Sequence, residues 1–508
     1  MGPGVWLEMM IPSMADTLTA HPYLASFTGL VFARWLYVYS RDLAANPRRL
    51  PNPPGPKRYP LIGSLLDAPL TRPWLTYDDW FKKYGDLIYF EIMGKKFLVV
   101  GSVERANDLF EKRSTNYSDR PHLVMVMDLM GWDYNWGLIP YNAWWRRHRR
   151  AFHQFINSNQ LPVYLPTQVK HVRAFLRRIL DKPDDVFHHS RHLFAALITD
   201  VAYGIQIKEE NDPYIQHIEE VLTAVGEAAI PGRYLVELFP IMKHIPSWFP
   251  GAGWKRKAAY YKRMNDMVSR EPYETVKQNL KNGTAKPSFA ASLIQALPED
   301  DPKEKADQES IAINVAGTAF LGGADTTVST IQSFFLAICQ NPEIQEKAQK
   351  ELDSVLEGSR LPELEDRPSL PYIDAIAKES MRWHPVLPMG VPHMATDNDE
   401  YNGWFIPKGT IVIGSAWALL HDSGAYEDPH SFKPERFLKD GKLDPNVRDP
   451  SVAAFGYGRR ICPGRHMSDI SLFLTIASFL TCFELRAPLD ESGKPIVPSG
   501  EYTDGSFQ

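Results

Sequence analysis

A lone cysteine lies in a loop of glycines and arginines just before an apolar run. The residues of this cysteine loop are Phe455, Gly458, Arg460, Cys462 and Gly464, in the order F-x-x-G-x-R-x-C-x-G. Cationic neighbours and a following helix N-terminus favour a thiolate, which is a ligand for haem iron. The glycines leave room for a flat macrocycle and permit unusual backbone angles, Arg460 can pair with a propionate, and Phe455 can shield the sulfur. A buried structural thiol is the alternative, as for most isolated cysteines.

A second pattern interrupts a long apolar stretch with Gly322-Gly323-Ala-Asp325-Thr326-Thr. Two glycines and a carboxylate make an apolar helix less stable, and a local loss of stability of this kind often marks a functional site. Small residues leave room for dioxygen. Asp325 can relay protons from solvent and Thr326 can donate a hydrogen bond, which suits the splitting of an O–O bond. A kinked core helix is the alternative.

A third pattern, Glu379-Ser-Met-Arg382, places opposite charges three residues apart on one helix face. A surface ion pair would contribute little to stability. The apolar flank 373–376 instead favours burial. Downstream, the segment 432–437 reads F-K-P-E-R-F and supplies Arg436 as a further cation.

The elements that must position these residues are mostly helices. The segment 311–339 is apolar on nearly all faces, which predicts a buried central helix. Asn341 before Pro342 predicts a helix N-cap. The segments 86–93 and 96–100 predict two strands around a tight turn.

The cysteine loop and the Gly-Gly-x-Asp-Thr segment together resemble the haem-binding and oxygen-activation motifs of the cytochrome P450 family. The resemblance runs from about Pro51 to the C-terminus, and Gly322 fills the first slot of the oxygen motif without any departure from the pattern. It implies a mainly α fold with a small β-region, preceded by one N-terminal membrane-anchor helix. It also implies haem b, with Cys462 as the iron ligand, and O2 as co-substrate. Cysteine ligation favours O–O cleavage.

The resemblance assigns roles to further residues. Glu379, Arg382 and Arg436 correspond to a buried structural triad that holds the cysteine loop. Trp145 and Arg149 match a W-x-x-x-R pattern whose arginine pairs with a haem propionate. For the surrounding basic run 144–150, a solvated or partner-facing charge run is the alternative.

His393, which follows Pro392, is similar to a propionate partner of fungal members, and a satisfied loop histidine is the alternative. The segments 392–394, 401–404 and 406–409 resemble those of fungal members of the family, in its microsomal class. The chain resembles basidiomycete secondary-metabolism enzymes, including those related to O-methylsterigmatocystin oxidoreductases and tryptamine 4-monooxygenases.

The N-terminal segment 23–39 is apolar and is followed by arginines and lysines, so we expect residues 1–22 in the lumen and a membrane anchor at 23–39. Residues 40–60 then form a basic proline-rich hinge, and 61–508 form the catalytic domain. This arrangement predicts a single-pass protein of the endoplasmic reticulum with a cytosolic catalytic domain. An interfacial helix and a cleaved signal peptide are the alternatives.

Three segments are candidates for the substrate side: 117–141, which is rich in methionine and aromatics, 386–391, and 239–254. In the family the first roofs the active site, the second lines the pocket, and the third resembles a membrane-touching lid. Ordinary core or loop is the alternative for each. Their apolar composition predicts a lipophilic substrate.

The composition and the motifs narrow the classes of function that the chain could have. A net charge of −5 offers no support for nucleic-acid binding, and three cysteines imply no disulfide framework. Neither a dinucleotide-binding nor a Walker motif occurs, so electrons must come from another protein. The resemblance implies NADPH–cytochrome P450 reductase, with cytochrome b5 as a further candidate donor.

The sequence therefore predicts a haem-thiolate monooxygenase that oxidises a lipophilic molecule, with a terpenoid secondary metabolite as the first guess. The alternatives are a xenobiotic-oxidising member, a haem-thiolate isomerase or dehydratase, and a non-catalytic haem sensor. The intact pair Asp325 and Thr326 argues against an isomerase, which has no use for oxygen protonation.

Overall fold

The described part of the chain is mainly helical. The computed structural model describes residues 43–210, 212–230, 232–500 and 502, with five helical positions between 26 and 40. The predicted luminal segment 1–22 and nearly all of the predicted anchor 23–39 lie outside these residues. Within the described ranges, no helix combines the length and the apolar character needed to cross a bilayer. The anchor helix stays a prediction.

Fifteen α-helices follow Pro53 in the described residues and are numbered here in chain order. They are α1 (Pro73–Tyr84), α2 (Val103–Ala106), α3 (Ser114–Tyr117), α4 (Ala143–Phe155), α5 (Leu161–Asp181), α6 (Val186–Tyr203), α7 (Pro213–Ala228), α8 (Gly253–Lys281), α9 (Phe289–Gln295), α10 (Pro302–Gln340), α11 (Pro342–Leu356), α12 (Pro371–Trp383), α13 (Ala416–Leu420), α14 (Ser451–Ala454) and α15 (Arg465–Cys482). Short π-helical and 3-10 segments lie between them, at Asn107–Lys112, Val124–Leu129, Pro183–Asp185, Leu235–Glu237, Pro240–His244, Leu364–Ser369, Pro434–Phe437 and Gly458–Arg460.

The β-structure is small, as predicted. One sheet has the strand order β1 (Leu87–Ile92), β2 (Lys95–Val100), β6 (Ile411–Gly414) and β3 (His393–Met394). β2 pairs antiparallel with β1 and parallel with β6, and β3 runs antiparallel to β6. The pairing of β3 places His393 on a sheet rather than in a free loop. A hairpin of β7 (Leu438–Lys439) and β8 (Lys442–Leu443) stands apart.

The described chain forms two compact units. The smaller one combines the chain up to Pro53 with residues 397–408. In it, β4 (Asp399–Tyr401) pairs antiparallel with β5 (Trp404–Ile406). Arg48 forms an ion pair with Glu400 at 2.7 Å. The larger unit, residues 54–396 and 409–508, contains every predicted site residue.

The central helix α10 organises the core of the larger unit. The Asp301 side chain accepts hydrogen bonds from the backbone N–H groups of Lys303 and Glu304, and Pro302 occupies the first turn, so the N-terminus is well capped. Its middle is buried, with Phe320 and Phe334 fully inaccessible. The predicted buried central helix is confirmed.

The predicted side-chain cap at Asn341 is wrong: α11 begins at Pro342, but the Asn341 side chain accepts no hydrogen bond from it. The Asn341 side chain donates to the carbonyl oxygen of Ala337 at 2.8 Å instead of accepting from the new helix. Only one residue separates α10 from α11, so the amide is within reach of an orphan carbonyl at the end of the preceding helix.

Candidate active site

The cysteine loop is closed by its own backbone. The Cys462 N–H donates to the carbonyl oxygen of Phe455 at 2.8 Å. Gly458 has φ 55°, and a Cβ there would lie 2.1 Å from the carbonyl oxygen of Phe110. Glycine is therefore required at Gly458 by a close backbone approach. Gly464 differs from the expectation, because its φ of −86° is open to any residue.

Donors and cations surround the sulfur of Cys462. Burial raises the pKa of the Cys462 thiol, while the backbone N–H groups of Gly464 and Arg465 and the charges of Arg149 and Arg465 oppose that rise. Such neighbours stabilise a thiolate once a metal replaces the proton. The loop therefore has the donor set that a haem-iron ligand needs.

The α4 helix lies over this loop and carries Trp145 and Arg149. The Asn142 side chain accepts from the Trp145 N–H at 2.9 Å and caps the helix. Arg149 donates to the carbonyl oxygen of Ile461, next to the cysteine, at 2.9 Å. The indole N–H of Trp145 is buried and has no hydrogen-bond partner among the described residues. A polar group outside the described chain would satisfy it.

Arg460 is a buried cation held by carbonyl oxygens. Its Cζ lies 4.6 Å from the centre of the Trp145 ring. Burial lowers the pKa of Arg460 to about 10. The guanidinium donates to the carbonyl oxygens of Ser118 (2.7 Å), Trp136 (3.4 Å) and Ile139 (2.7 Å).

Arg120 is a second buried cation, and our sequence reasoning missed it. It donates to the carbonyl oxygens of Gly137 at 3.1 Å, Val391 at 2.6 Å and Pro392 at 2.8 Å. It thereby ties the segment 117–141 to the strand that begins at His393. The available signal was that Arg120 is the single lysine or arginine in that largely apolar segment.

His393 is buried beside both arginines. Its Nδ1 lies 2.6 Å from the carbonyl oxygen of Tyr117, and its ring packs 4.5 Å from Phe110. Burial lowers the pKa of His393, and the charges of Arg120 and Arg460 lower it further. A neutral ring that donates through Nδ1 leaves Nε2 as an acceptor. A nearby carboxylate would favour the imidazolium, in which both nitrogens donate.

Arg120 and Arg460 are buried and Arg149 is partly buried, and none of the three forms an ion pair with a carboxylate in the described part of the chain. The hydrogen bonds that these guanidinium groups donate go to backbone carbonyl oxygens. Buried cations without a counter-ion are costly, so this cluster favours a dianionic ligand. The two propionates of haem b meet that requirement, and the residues present fit the group.

The two glycines of the central helix have different surroundings. A Cβ at Gly323 would lie 2.7 Å from Ile198 of α6, so Gly323 allows close helix packing. A Cβ at Gly322 would meet no atom within 4 Å. Thr326 lies one turn further along and donates to the Gly322 carbonyl oxygen at 2.8 Å. The helix thus borders open space where the sequence predicted room for dioxygen.

Asp325 is not isolated in the core. Its Oδ1 lies 3.5 Å from NH1 of Arg191 on α6, and the same NH1 lies 3.7 Å from Glu219 on α7. Burial raises the pKa of Asp325, and Arg191 opposes that rise. Neither partner was predicted, because no local pattern links Arg191 or Glu219 to a motif more than a hundred residues away.

A short polar contact joins the oxygen motif to the cysteine loop. The Thr327 hydroxyl lies 3.3 Å from the hydroxyl of Ser468. Ser468 belongs to the first turn of α15, directly after the loop that carries Cys462. The structure therefore brings the two motifs, far apart in sequence, to neighbouring helices.

The Glu379 carboxylate connects the two arginines of the predicted triad. Arg382 donates to it from Nε at 2.7 Å and from NH2 at 2.8 Å, and Arg436 donates to it from Nε at 3.1 Å. Glu379 and Arg382 are fully buried. Both arginines also donate to the carbonyl oxygen of Ser431 at 3.2 Å. The triad anchors the 3-10 segment that carries Arg436 to α12.

The predicted roof and lid contact each other. The Met125 N–H in the roof donates to Oε1 of Glu237, which lies two residues before the lid, at 2.7 Å. Lys243 in the lid forms an ion pair with Asp128 at 2.9 Å. Roof side chains such as Met125 are buried, whereas the lid exposes large apolar residues.

Comparison with known proteins explains this arrangement. The sequence pattern of the family described as Cytochrome P450 matches residues 53–501. The chain belongs to the cytochrome P450 family. It is 44% identical over 478 residues to Cytochrome P450 monooxygenase COX1 of Coprinopsis cinerea, which covers 93% of this chain and 92% of the relative.

Two further P450 relatives come from other fungi. Cytochrome P450 monooxygenase 98 of Postia placenta is 41% identical over 476 residues, 93% of this chain and 90% of the relative. Tryptamine 4-monooxygenase of Psilocybe cyanescens is 38% identical over 484 residues, 94% of each chain.

Membership of the P450 family establishes the class of chemistry. The protein is a haem monooxygenase, an oxidoreductase that uses haem b and O2 with electrons that a reductase takes from NADPH. When bound, haem b supplies the iron at which dioxygen is reduced.

Proposed function

We propose that this protein is a microsomal P450 that inserts one oxygen atom into a lipophilic small molecule of fungal secondary metabolism, with a terpenoid as the first candidate. The apolar roof carries this proposal, since Val124, Met125, Val126 and Met127 are all buried. A lining of this kind selects ligands by apolar area and adapts to irregular shapes.

Each site residue has its own proposed role in this reaction. Cys462 is the proposed iron ligand, the Phe455 ring is proposed to shield its sulfur, and a Cβ at Gly464 would lie 3.9 Å from that sulfur. Arg149 and Trp145 face the cysteine loop from α4, and we assign them to the cofactor's propionate side. The unpaired indole N–H of Trp145 supports that assignment, and so does the bond from Arg149 to the carbonyl oxygen next to Cys462.

Arg460 and His393 complete the proposed propionate side, where burial and the absence of a described counter-ion support the assignment. Thr326 is proposed to hold a proton donor beside Gly322. Asp325, whose side chain is 34% exposed, is proposed to exchange protons with solvent and pass them inward.

We also propose a membrane location, with residues 23–39 anchoring the chain in the endoplasmic reticulum and the catalytic domain in the cytosol. The exposed apolar side chains of the lid support this, because they would bury their surface in lipid. They are Phe239, Ile241, Trp248 and Phe249.

NADPH–cytochrome P450 reductase is the proposed electron donor, with cytochrome b5 as a second candidate. Of the basic run on α4, Arg147 is engaged by Glu304 and Asp307 at 2.7 and 3.1 Å. Arg146 and Arg150 are exposed and remain available for an acidic partner.

The test is reconstitution of the full chain with NADPH–cytochrome P450 reductase and a panel of terpenoids, polyketides and indoles. Difference spectra select compounds that bind, and oxygen uptake with product analysis follows. We expect NADPH-dependent uptake with one oxygen atom incorporated per product for at least one lipophilic compound. Product formation without NADPH or O2 would instead support an isomerase or dehydratase, and no uptake with any compound would support a sensor.

A further inference from the structure

A π-helical segment, Asn107–Lys112, lies between the short helices α2 and α3. It is closed by the Arg113 N–H, which donates to the carbonyl oxygen of Asp108, five residues earlier, at 3.0 Å. Helical turns of this kind are rare, and many of them lie at functional sites. The wider turn changes the direction in which Phe110 and Glu111 face, compared with an uninterrupted α-helix.

Two consecutive residues of this π-helical segment contact the cysteine loop. Oε1 of Glu111 accepts a hydrogen bond from the Gly458 N–H at 2.9 Å. The carbonyl oxygen of Phe110 packs against the same glycine, where a Cβ would lie 2.1 Å from it. Among the described residues, Glu111 is the only side chain from outside the loop that accepts a backbone N–H of residues 455–464. The two contacts hold the start of the 3-10 segment that leads to Cys462.

The Phe110 ring also joins the cysteine loop to the strand that carries His393. The ring stacks on Tyr457 of the loop, with centres 4.9 Å and planes 18° apart, and its centre lies 4.5 Å from that of His393. Phe110 is only 1% exposed. The Tyr457 hydroxyl donates to the carbonyl oxygen of Gly414 on β6 at 3.4 Å, and β6 pairs with the strand of His393. The π-helical segment therefore holds the loop of the proposed iron ligand and a proposed propionate partner against one buried ring.

The carboxylate of Glu111 is exposed, so its hydrogen bond contributes little to the overall stability of the fold. Its partner is a loop that has to keep one shape. Glycines at 456, 458 and 464 give this loop conformational freedom that an outside contact removes. The N–H groups of Gly464 and Arg465 reach the Cys462 sulfur only while the loop keeps its conformation. The bond to Glu111 therefore acts on the shape of the loop rather than on folding.

We propose that Glu111 is a positioning residue, which holds the cysteine loop in the conformation in which Cys462 binds haem iron. It acts through the Gly458 N–H, 347 residues away in sequence, while Phe110 fixes the loop relative to His393. The inference rests on the proposed role of Cys462 and deepens it. It adds a support for the iron ligand that the motif around Cys462 does not contain.

The test uses the purified, reduced holoenzyme under carbon monoxide. The measured quantity is the rate at which the thiolate-specific absorption disappears at a fixed urea concentration below the unfolding transition. Glu111→Ala removes the acceptor, whereas Glu111→Gln keeps an oxygen acceptor without the charge. Glu104→Ala removes an exposed carboxylate from α2 and is the control for charge. Leu109→Ala removes a buried side chain from the same π-helical segment and is the control for stability.

We expect Glu111→Ala to lose the thiolate-specific absorption about threefold to tenfold faster than wild type, because the loss of one hydrogen bond corresponds to about that factor. Glu111→Gln and Glu104→Ala should stay within twofold of wild type. A rate for Glu111→Ala within twofold of wild type overturns the proposal, and so does a Glu111→Gln variant that is as fast as Glu111→Ala.

The thermal unfolding midpoint of the holoenzyme separates positioning from folding. Leu109→Ala should lower this midpoint more than Glu111→Ala, because it leaves a cavity in the core. It should nevertheless lose the thiolate-specific absorption more slowly than Glu111→Ala. An equal or faster loss in Leu109→Ala would show that the absorption follows general stability, which contradicts the proposal. If the wider assignment of Cys462 fails, wild type itself lacks the thiolate-specific absorption, so the two failures are distinguishable.

Discussion

The Oδ1 atom of Asp325 lies 3.5 Å from NH1 of Arg191, which joins the central helix to α6. The same guanidinium lies 3.7 Å from Glu219 on α7. Arg191 is therefore shared between the proposed proton carrier and a helix that leads toward the lid. The position of α7 can thus alter how strongly the cation acts on Asp325.

Replacing Arg191 with glutamine should change the pH dependence of coupling. Burial raises the pKa of Asp325 and Arg191 opposes that rise, so loss of the cation raises the pKa further. In the plot of coupling against pH, the transition in which Asp325 loses its proton should move to higher pH, by about one unit or less. The measurement is product formed per NADPH from about pH 8 down to the lowest pH at which the holoenzyme keeps its haem, because the ordinary pKa of an aspartate is about 3.9. Arg191→Lys is the control, and an identical profile for Arg191→Gln would refute the coupling.

Thr326→Ala should uncouple oxygen reduction from product formation. The hydroxyl bonds to the Gly322 carbonyl oxygen at 2.8 Å and so stands beside the open face of the helix. Without it, protons reach dioxygen less selectively, and peroxide released per product should rise several-fold. Thr326→Ser retains the hydroxyl and should stay close to wild type. Equal peroxide yields in all three proteins would rule out this role.

Glu379→Ala should destabilise the holoenzyme by about 3–5 kcal/mol, because it leaves Arg382 buried without its carboxylate. Urea unfolding, monitored by the loss of haem absorption, measures this change in the free energy of unfolding. The matched control is Glu484→Ala, which breaks an exposed pair with Arg486 and should change stability by less than about 1 kcal/mol. Similar losses for the two variants would mean that the triad is no more important than a surface pair.

Acid should destabilise the protein through His421, which is buried, and His384, which is partly buried. Burial, with a smaller effect of Arg382, lowers the pKa of His384 and of His421 to about 3. The unfolded chain then binds more protons than the folded one between about pH 3 and 6.5, so stability falls as pH falls through that window. Each histidine contributes a slope of about 1.4 kcal/mol per pH unit in the middle of that window.

The free energy of unfolding of the full chain, measured at pH 7 and at pH 5, tests this. His421→Asn keeps a polar group near the Trp417 carbonyl oxygen, which the Nδ1 of His421 reaches at 2.9 Å. It should reduce the loss between the two pH values by about 2 kcal/mol. His430→Asn, at an exposed neighbouring histidine, is the control. If the two variants lose the same stability as wild type, the histidines are not the cause.

Much of the site was predictable because its signals are local. The spacing around Cys462, the acid–alcohol pair and the Glu379–Arg382 pair each lie within ten residues, where helix geometry and loop chemistry relate one residue to the next. The central helix was predictable for the same reason, since an all-round apolar segment of that length must be buried.

The remaining contacts depend on tertiary packing. Arg120 contacts the carbonyl oxygen of Val391, and Arg191 contacts Asp325. The residues of each pair are far apart in sequence, so no periodicity predicts these contacts. The ordinary backbone angle of Gly464 was not predictable, because a glycine in a sequence does not reveal its φ. The different surroundings of the two glycines were not predictable either, since Gly323 packs on Ile198 of another helix and Gly322 borders open space.

The central claim is that the sulfur of Cys462 binds haem iron as a thiolate. The most direct measurement is the absorption spectrum of the purified, dithionite-reduced protein with carbon monoxide, recorded for wild type and Cys462→Ala. We predict the red-shifted absorption of a thiolate-bound complex in wild type and its loss in Cys462→Ala, with Cys482→Ala as an unaffected control. A wild type without that absorption, or a Cys462→Ala variant that retains it, would contradict the account.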